Sequence, residues 1–280
     1  IVEYAKSQNI PAVGRGSAGD SLVSYCLGIT NVDPIKHNLY FERFLHPERK
    51  SPPDIDIDLC WKNRDKVIDY VFKKYGKEKC AMIAAFVTFQ SRSSFRDVAK
   101  AYGLSQAEVN GLTKKLPSHG GLDMLDKRMK QLSEYADFPA GLEEFKNFID
   151  TGKRLTDLPR HISVHPCGMV ISPDTIYNRV PLQKAAKGVI VTQYDMHDIE
   201  SAGLLKIDLL GVRGLSVFYD TIRLLKKRGI TVDIDSIPLD DKETYSLISA
   251  GQTMGCFQIE SPAMRGLLRN LKPKHVEGII

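Results

Sequence analysis

The alternation Pro53-Asp54-Ile55-Asp56-Ile57-Asp58-Leu59 restricts the fold of this chain more than any other feature. Acidic and aliphatic residues trade places with period two, the repeat of a β-strand. Asp54, Asp56 and Asp58 therefore share one face, and Ile55, Ile57 and Leu59 share the other. Stacked carboxylates repel one another, and a folded strand tolerates them where cations neutralise the charge. Their oxygens are hard ligands, suited to Mg²⁺, Mn²⁺ or Ca²⁺. The plain alternative is a solvated acidic strand on an open edge. Arg43, Arg49 and Lys50 stand just upstream and favour the cation reading. Acids for metals beside bases for phosphates are what phosphoryl or nucleotidyl transfer uses. A calcium loop would instead stagger Gly and Asn or Ser ligands.

A second acid fits the same scheme. Leu204-Leu205-Lys206-Ile207-Asp208-Leu209-Leu210-Gly211 reads as a buried strand, with Lys206 and Asp208 on one face. Either the two satisfy each other at a strand end, or Asp208 is a further metal ligand beside a phosphate-facing lysine. A third element is the turn Gly14-Arg15-Gly16-Ser17-Ala18-Gly19, between a short strand and a helix. Such turns present backbone N–H groups and a helix N-terminus to phosphate. The spacing matches neither the ATPase phosphate loop nor the dinucleotide fingerprint. Many such turns are only tight bends, but Arg15 and Ser17 add a charge and a hydroxyl that suit a triphosphate.

Around these motifs the spacing predicts an α/β domain interrupted by helices. The first part runs strand, turn, helix (Ser21 to Leu27), loop, acidic strand, helix (Arg64 to Tyr75) and strand (Ala81 to Phe89). From Ser91 to about Asp157 the pattern turns helical, with helices at 93–102, 122–135 and 142–149, and a capping box at Ser105–Glu108 opening another. Strands return at 168–172, 188–194 and 204–209. After Gly211 the chain is helical again, at 213–228, 241–250 and 262–271. The domain plan is thus 1–90, a helical insertion at 91–158, a return at 159–212 and a helical segment at 213–280.

The 280 residues are 42% hydrophobic and 26% charged, enough for one large core or two modest ones. A net charge of +5 suits a phosphate-rich partner without demanding one. Five scattered cysteines without a C-x-x-C pair argue for a reducing, cytoplasmic setting and against a disulfide framework or a cysteine zinc site. No stretch is long and apolar enough to span a membrane, so no membrane association is expected. The start Ile1-Val2-Glu3 lacks an initiator Met and a signal-peptide pattern, and the chain reads as an excised piece of a longer protein.

Four stretches together resemble the bacterial C-family DNA polymerases, the replicative DNA polymerase III alpha subunits and their error-prone relatives. They are Gly14-Arg15-Gly16-Ser17, Phe41-Glu42-Arg43-Phe44-Leu45 with Pro47-Glu48-Arg49, the acidic strand 53–58, and Gly203 to Gly211. Phe257-Gln258-Ile259-Glu260-Ser261 is similar to the early fingers region. The motifs follow the family's order over nearly the whole chain.

The resemblance implies a polymerase-beta-like nucleotidyltransferase palm, the helical insertion as thumb and the last helices as the start of the fingers. It implies Asp54, Asp56 and Asp208 as catalytic metal ligands for two Mg²⁺ ions, with Mn²⁺ able to substitute and Asp58 in support. Arg15, Gly16, Ser17, Arg43, Arg49 and Lys206 would bind the incoming nucleotide. The implied partners are primer–template DNA and deoxynucleoside triphosphates and, in the full-length protein, the sliding clamp and other replisome subunits. Two further readings stay open. The piece could bind DNA or nucleotide and hold metals yet extend no primer, or the acids could serve a metal-dependent phosphohydrolase. The latter lacks an obvious general base or nucleophilic His nearby.

Asp20 and His165-Pro166-Cys167-Gly168 depart from the family's smaller residues, and Arg160 to His165 leans towards the error-prone branch. His161 and His165 lack further zinc ligands at suitable spacing and are expected in the core or against DNA. Lys114, Lys115, Arg128 and Lys130 suit a DNA backbone or a solvated helical face equally. Lys226, Lys227 and Arg228 stand at a helix C-terminus, where capping is expected first and DNA contact second, and Trp61 is expected to pack.

Overall fold

A computed structural model describes residues 1–49, 53, 55–116, 142–233 and 236–279. In chain order the elements are α1 (Val2–Ser7), β1 (Ala12–Arg15), α2 (Leu22–Cys26), β2 (Ile55–Cys60), α3 (Arg64–Tyr75), β3 (Cys80–Thr88), α4 (Ser91–Ala101), α5 (Gln106–Lys115), α6 (Leu142–Leu155), β4 (Pro159–Ile171), β5 (Leu182–Lys184), β6 (Ile190–Thr192), α7 (Met196–Ser201), β7 (Lys206–Val212), α8 (Arg213–Lys227), α9 (Lys242–Ser249) and α10 (Pro262–Leu271). Short 3₁₀ helices cover Gly16–Asp20 and Phe41–Arg43. The chain forms two compact units, Ile1–Arg49 with Pro53–Val71 and Asp208–Ile280, and Phe72–Ile207.

In the first unit the strand order is β1-β2-β7. β1 and β2 run antiparallel, from Ala12 opposite Leu59 to Arg15 opposite Asp56. The period-two pattern sorts β2 as expected. Ile57 and Leu59 are 4% and 0% exposed, while Asp56 and Asp58 keep partial access to solvent. Val67, Ile68 and Val71 form the buried stripe of α3, at the spacing that puts residues on one helical face. Tyr4 of α1 stacks on Tyr70 of α3 with ring centroids 3.8 Å apart. α9 and α10 start at Asp241 and Ser261, whose side chains accept from the N–H groups of Thr244 and Met264.

The second unit has strand order β4-β3-β6-β5. β3 pairs antiparallel with β4 and parallel with β6, and β5 pairs antiparallel with β6. Ala81, Ile83, Val170, Ile176, Val180, Ile199 and Leu204 make its sheet core. A separate helical core gathers Phe95, Val98, Ala99 and Val109 with Leu112, Phe148 and Ile149 from α4, α5 and α6. The capping box at Ser105 and Glu108 is formed, and it lowers the pKa of the Glu108 carboxylate through hydrogen bonds from Ser105.

The structure differs from the sequence expectations at several places. β4 begins at Pro159 rather than 168, because His161 to Val164 pair with Val87 to Ala84. Half of that stretch is polar, so its backbone pairing leaves little mark on the hydrophobic pattern. Helix α6 continues to Leu155, and β7 starts at Lys206 rather than Leu204. α1, α7 and β5 were not expected, being too short at six, six and three residues to show a period. The helix expected at 122–135, with Arg128 and Lys130, lies outside the described residues, as does Asp54. Trp61 is 51% exposed, a correction to its expected packing, and its Cα and Cβ lie beside Gly211. Among the described residues no helix is long and apolar enough to cross a membrane.

Candidate nucleotidyl-transfer site

The acidic strand sits between its two predicted collaborators. β2 has β1 and the glycine turn on one side and β7, carrying Asp208, on the other. Asp56 lies directly across from Arg15, the last residue before the turn. Gly14 lets the backbone at Ile29 approach β1 closely. A Cβ there would fall 2.5 Å from the carbonyl oxygen of Ile29, to which the Gly14 N–H donates at 2.7 Å. Gly16 turns the chain at φ +68°, where side chains other than glycine's are disfavoured. A Cβ on it would lie 3.3 Å from Asp56 Oδ2, so the turn backbone closes on the carboxylate. Ser17 follows in the same turn, and Ala18, Gly19 and Asp20 are buried behind it.

The basic residues divide. Arg15 Nε reaches Asp58 Oδ1 at 2.8 Å. Burial pushes the Asp58 pKa up, and the Arg15 charge and hydrogen bond offset part of that rise. Arg15 is thus shared between the acidic strand and the turn, and its side chain is half exposed. Arg43 stands 3.6 Å from Asp20. Arg49 Nη1 donates to the Phe44 carbonyl at 2.9 Å and so braces the loop that holds Arg43. Lys206 opens β7 two residues before Asp208.

The donor set suits a hard divalent cation, since Asp56 and Asp208 offer carboxylate oxygens from adjacent strands. Among the described residues no three His, Cys, Asp or Glu side chains form a metal cage, and Asp54 lies outside them. His165 is used locally, its Nδ1 accepting from the N–H groups of Cys167 and Gly168 at 3.3 and 2.7 Å.

Beneath the acids lies a set of contacts that sequence reasoning missed. Arg64, at the start of α3, donates from Nε to the Leu209 carbonyl, beside Asp208, at 2.6 Å. Ser216 of α8 is 3% exposed; its Oγ accepts from the Trp61 N–H at 3.1 Å and lies 3.1 Å from Cys60 Sγ. Lys62 and Asp220 form a short ion pair between the same corner and the same helix. These contacts tie the end of β2 to β7 and α8. One signal was readable for Arg64: a cation in the first turn of a helix opposes the helix dipole, so its presence there calls for another reason.

The fold is a mixed α/β one, and comparison with known proteins gives the family. A family model described as "Bacterial DNA polymerase III alpha NTPase domain" matches residues 1–211, and one described as "Bacterial DNA polymerase III alpha subunit finger domain" matches 214–280. The chain belongs to the bacterial DNA polymerase III alpha family. It is 42% identical to the DNA polymerase III subunit alpha of Thermus aquaticus over 269 residues, 95% of this chain and 22% of that protein. It is 40% identical to the subunit of the same name from Aquifex aeolicus over all of this chain and 26% of that protein. It is also 40% identical to an error-prone DNA polymerase of Symbiobacterium thermophilum over all of this chain and 25% of that protein. The chain therefore spans about a quarter of the length of these relatives.

Proposed function

We propose that this chain is the catalytic portion of a DNA-directed DNA polymerase that adds deoxynucleotides to a primer 3′-hydroxyl. In this reading 1–90 and 159–212 are the palm, 91–158 the thumb and 213–280 the start of the fingers. The observation that carries the reading is the register of β1 on β2, which sets the glycine turn against Asp56 while β7 brings Asp208 in on the other side. Relatives named DNA polymerase III subunit alpha support it.

Asp54, Asp56 and Asp208 would hold two Mg²⁺ ions, which when bound would supply charge stabilisation for the ionising primer hydroxyl and the departing pyrophosphate. The turn at Gly16 and Ser17 receives the triphosphate on backbone N–H groups and a hydroxyl. Arg15, Arg43, Arg49 and Lys206 neutralise and orient its oxygens. The primer 3′-oxygen then bonds to the α-phosphorus as the bond to pyrophosphate breaks. Template pairing selects the base. The thumb and fingers would contact primer–template DNA, and the full-length protein would meet its clamp and replisome partners in the cytoplasm.

The test is primer extension by the full-length polymerase with Mg²⁺ or Mn²⁺, wild type against Asp54→Ala and Asp56→Ala. The substituted proteins are expected to lose about a thousandfold or more in rate while still binding DNA, the scale of losing metal-centred charge stabilisation. Extension that survives both substitutions refutes the metal assignment.

A further inference from the structure

Asp20 ends the turn that carries Gly16 and Ser17, and it is 3% exposed. Its Oδ1 lies 3.6 Å from Nη1 of Arg43, whose own side chain is 67% exposed. Its Oδ2 is enclosed and accepts no hydrogen bond among the described residues. A carboxylate buried this deeply is costly unless a cation or donors compensate it. Arg43 is the cation at hand, carried on the 3₁₀ helix Phe41–Arg43, which packs on the turn.

We infer that Asp20 is a positioning residue that holds the Arg43 guanidinium against the triphosphate turn before nucleotide arrives. The inference rests on the nucleotide-binding reading above. A guanidinium has five donors in a fixed fork, so one edge can face Asp20 while another faces phosphate oxygens. An exposed arginine otherwise loses its rotamer freedom when it engages a ligand. Held beforehand, it loses less, and the gain falls on nucleotide binding rather than on bond making. The Asp20 charge also opposes the triphosphate. If that repulsion outweighed the positioning, removing the charge would tighten binding, so the sign of the effect is diagnostic.

The experiment is single-nucleotide incorporation by the full-length polymerase, comparing wild type, Asp20→Asn, Arg43→Ala and the double variant. Asp20→Asn is expected to raise the KM for the deoxynucleoside triphosphate about three- to fivefold, the scale of one partly exposed ion pair, with a smaller change in kcat. In the Arg43→Ala background the same change is expected to add nothing. A lowered KM, an effect confined to kcat, or an equal effect without Arg43 overturns the inference. Arg43→Ala with the wild-type KM overturns the nucleotide role of Arg43 itself, and the inference with it. Arg43→Lys, a change of an exposed side chain, provides a second route should Asp20→Asn not fold. An ammonium lacks the planar fork that presents one edge to each partner, so KM is expected to rise by a similar factor; an unchanged KM overturns the inference.

Discussion

β2 and β3 are both strands rich in aliphatic residues, yet they are built for different ends. In β3 the run Cys80 to Ala84 is buried on both faces, none of its residues being more than 4% exposed. In β2 only Ile57, Leu59 and Cys60 are buried, and Asp56 and Asp58 are left partly open on the other face. β3 spends all of its surface on packing, flanked by β4 and β6. β2 gives half of its surface to charge and is steadied by other means: an ion pair from Arg15, and the hydrogen bonds of Ser216 and Arg64 at its end and its neighbour. A strand that must present carboxylates cannot be held by burial on both faces, so polar contacts at its margins take over.

This contrast can be broken by substitution. The largest effect is expected on β3. Met82→Ala and Ile83→Ala, on opposite faces of the strand, should each lower stability by about 2–5 kcal/mol in denaturant titration. A small loss at either position would mean that one face is less tightly packed than its burial indicates. Next comes Ser216→Ala, which leaves the Trp61 N–H without its acceptor and is expected to cost about 1–3 kcal/mol by the same measurement. An unchanged stability would show that β2 does not depend on α8. The smallest effect is expected at the acid face. Asp58→Asn should shift stability by under about 1 kcal/mol, since its half-exposed partner Arg15 regains water. A loss as large as that at Ile83 would erase the distinction between the two strands.

Much of this organisation was readable beforehand, for local reasons. Helix α3 was predicted at Arg64 to Tyr75 and α10 at 262–271, and both formed with those bounds, because each has an apolar stripe and a clear stop or start. β2 was legible from strict alternation. The first half of β4 was not, because Arg160 to His165 carries no hydrophobic run and is a strand only through its partner β3. Asp20 was noticed as an unexpected acid near the turn, but its association with Arg43 depends on how two short 3₁₀ helices meet.

The sequence by itself determined which residue types could do chemistry here and on which local elements they would stand. Asp56 and Asp58 share a strand face, Asp208 stands on a second strand, and Gly14 to Ser17 form a turn; periodicity and backbone preference act within a few residues. Tertiary structure alone decided which of them meet. It put Arg15 across from Asp56 but on Asp58, Arg43 beside Asp20, Arg64 on the Leu209 carbonyl and Ser216 under Trp61. Those meetings join residues as far as 155 positions apart, and no local pattern encodes them. They arise because burying one face of each element forces the others into register, and each buried polar group must then find a partner where the packing has left it.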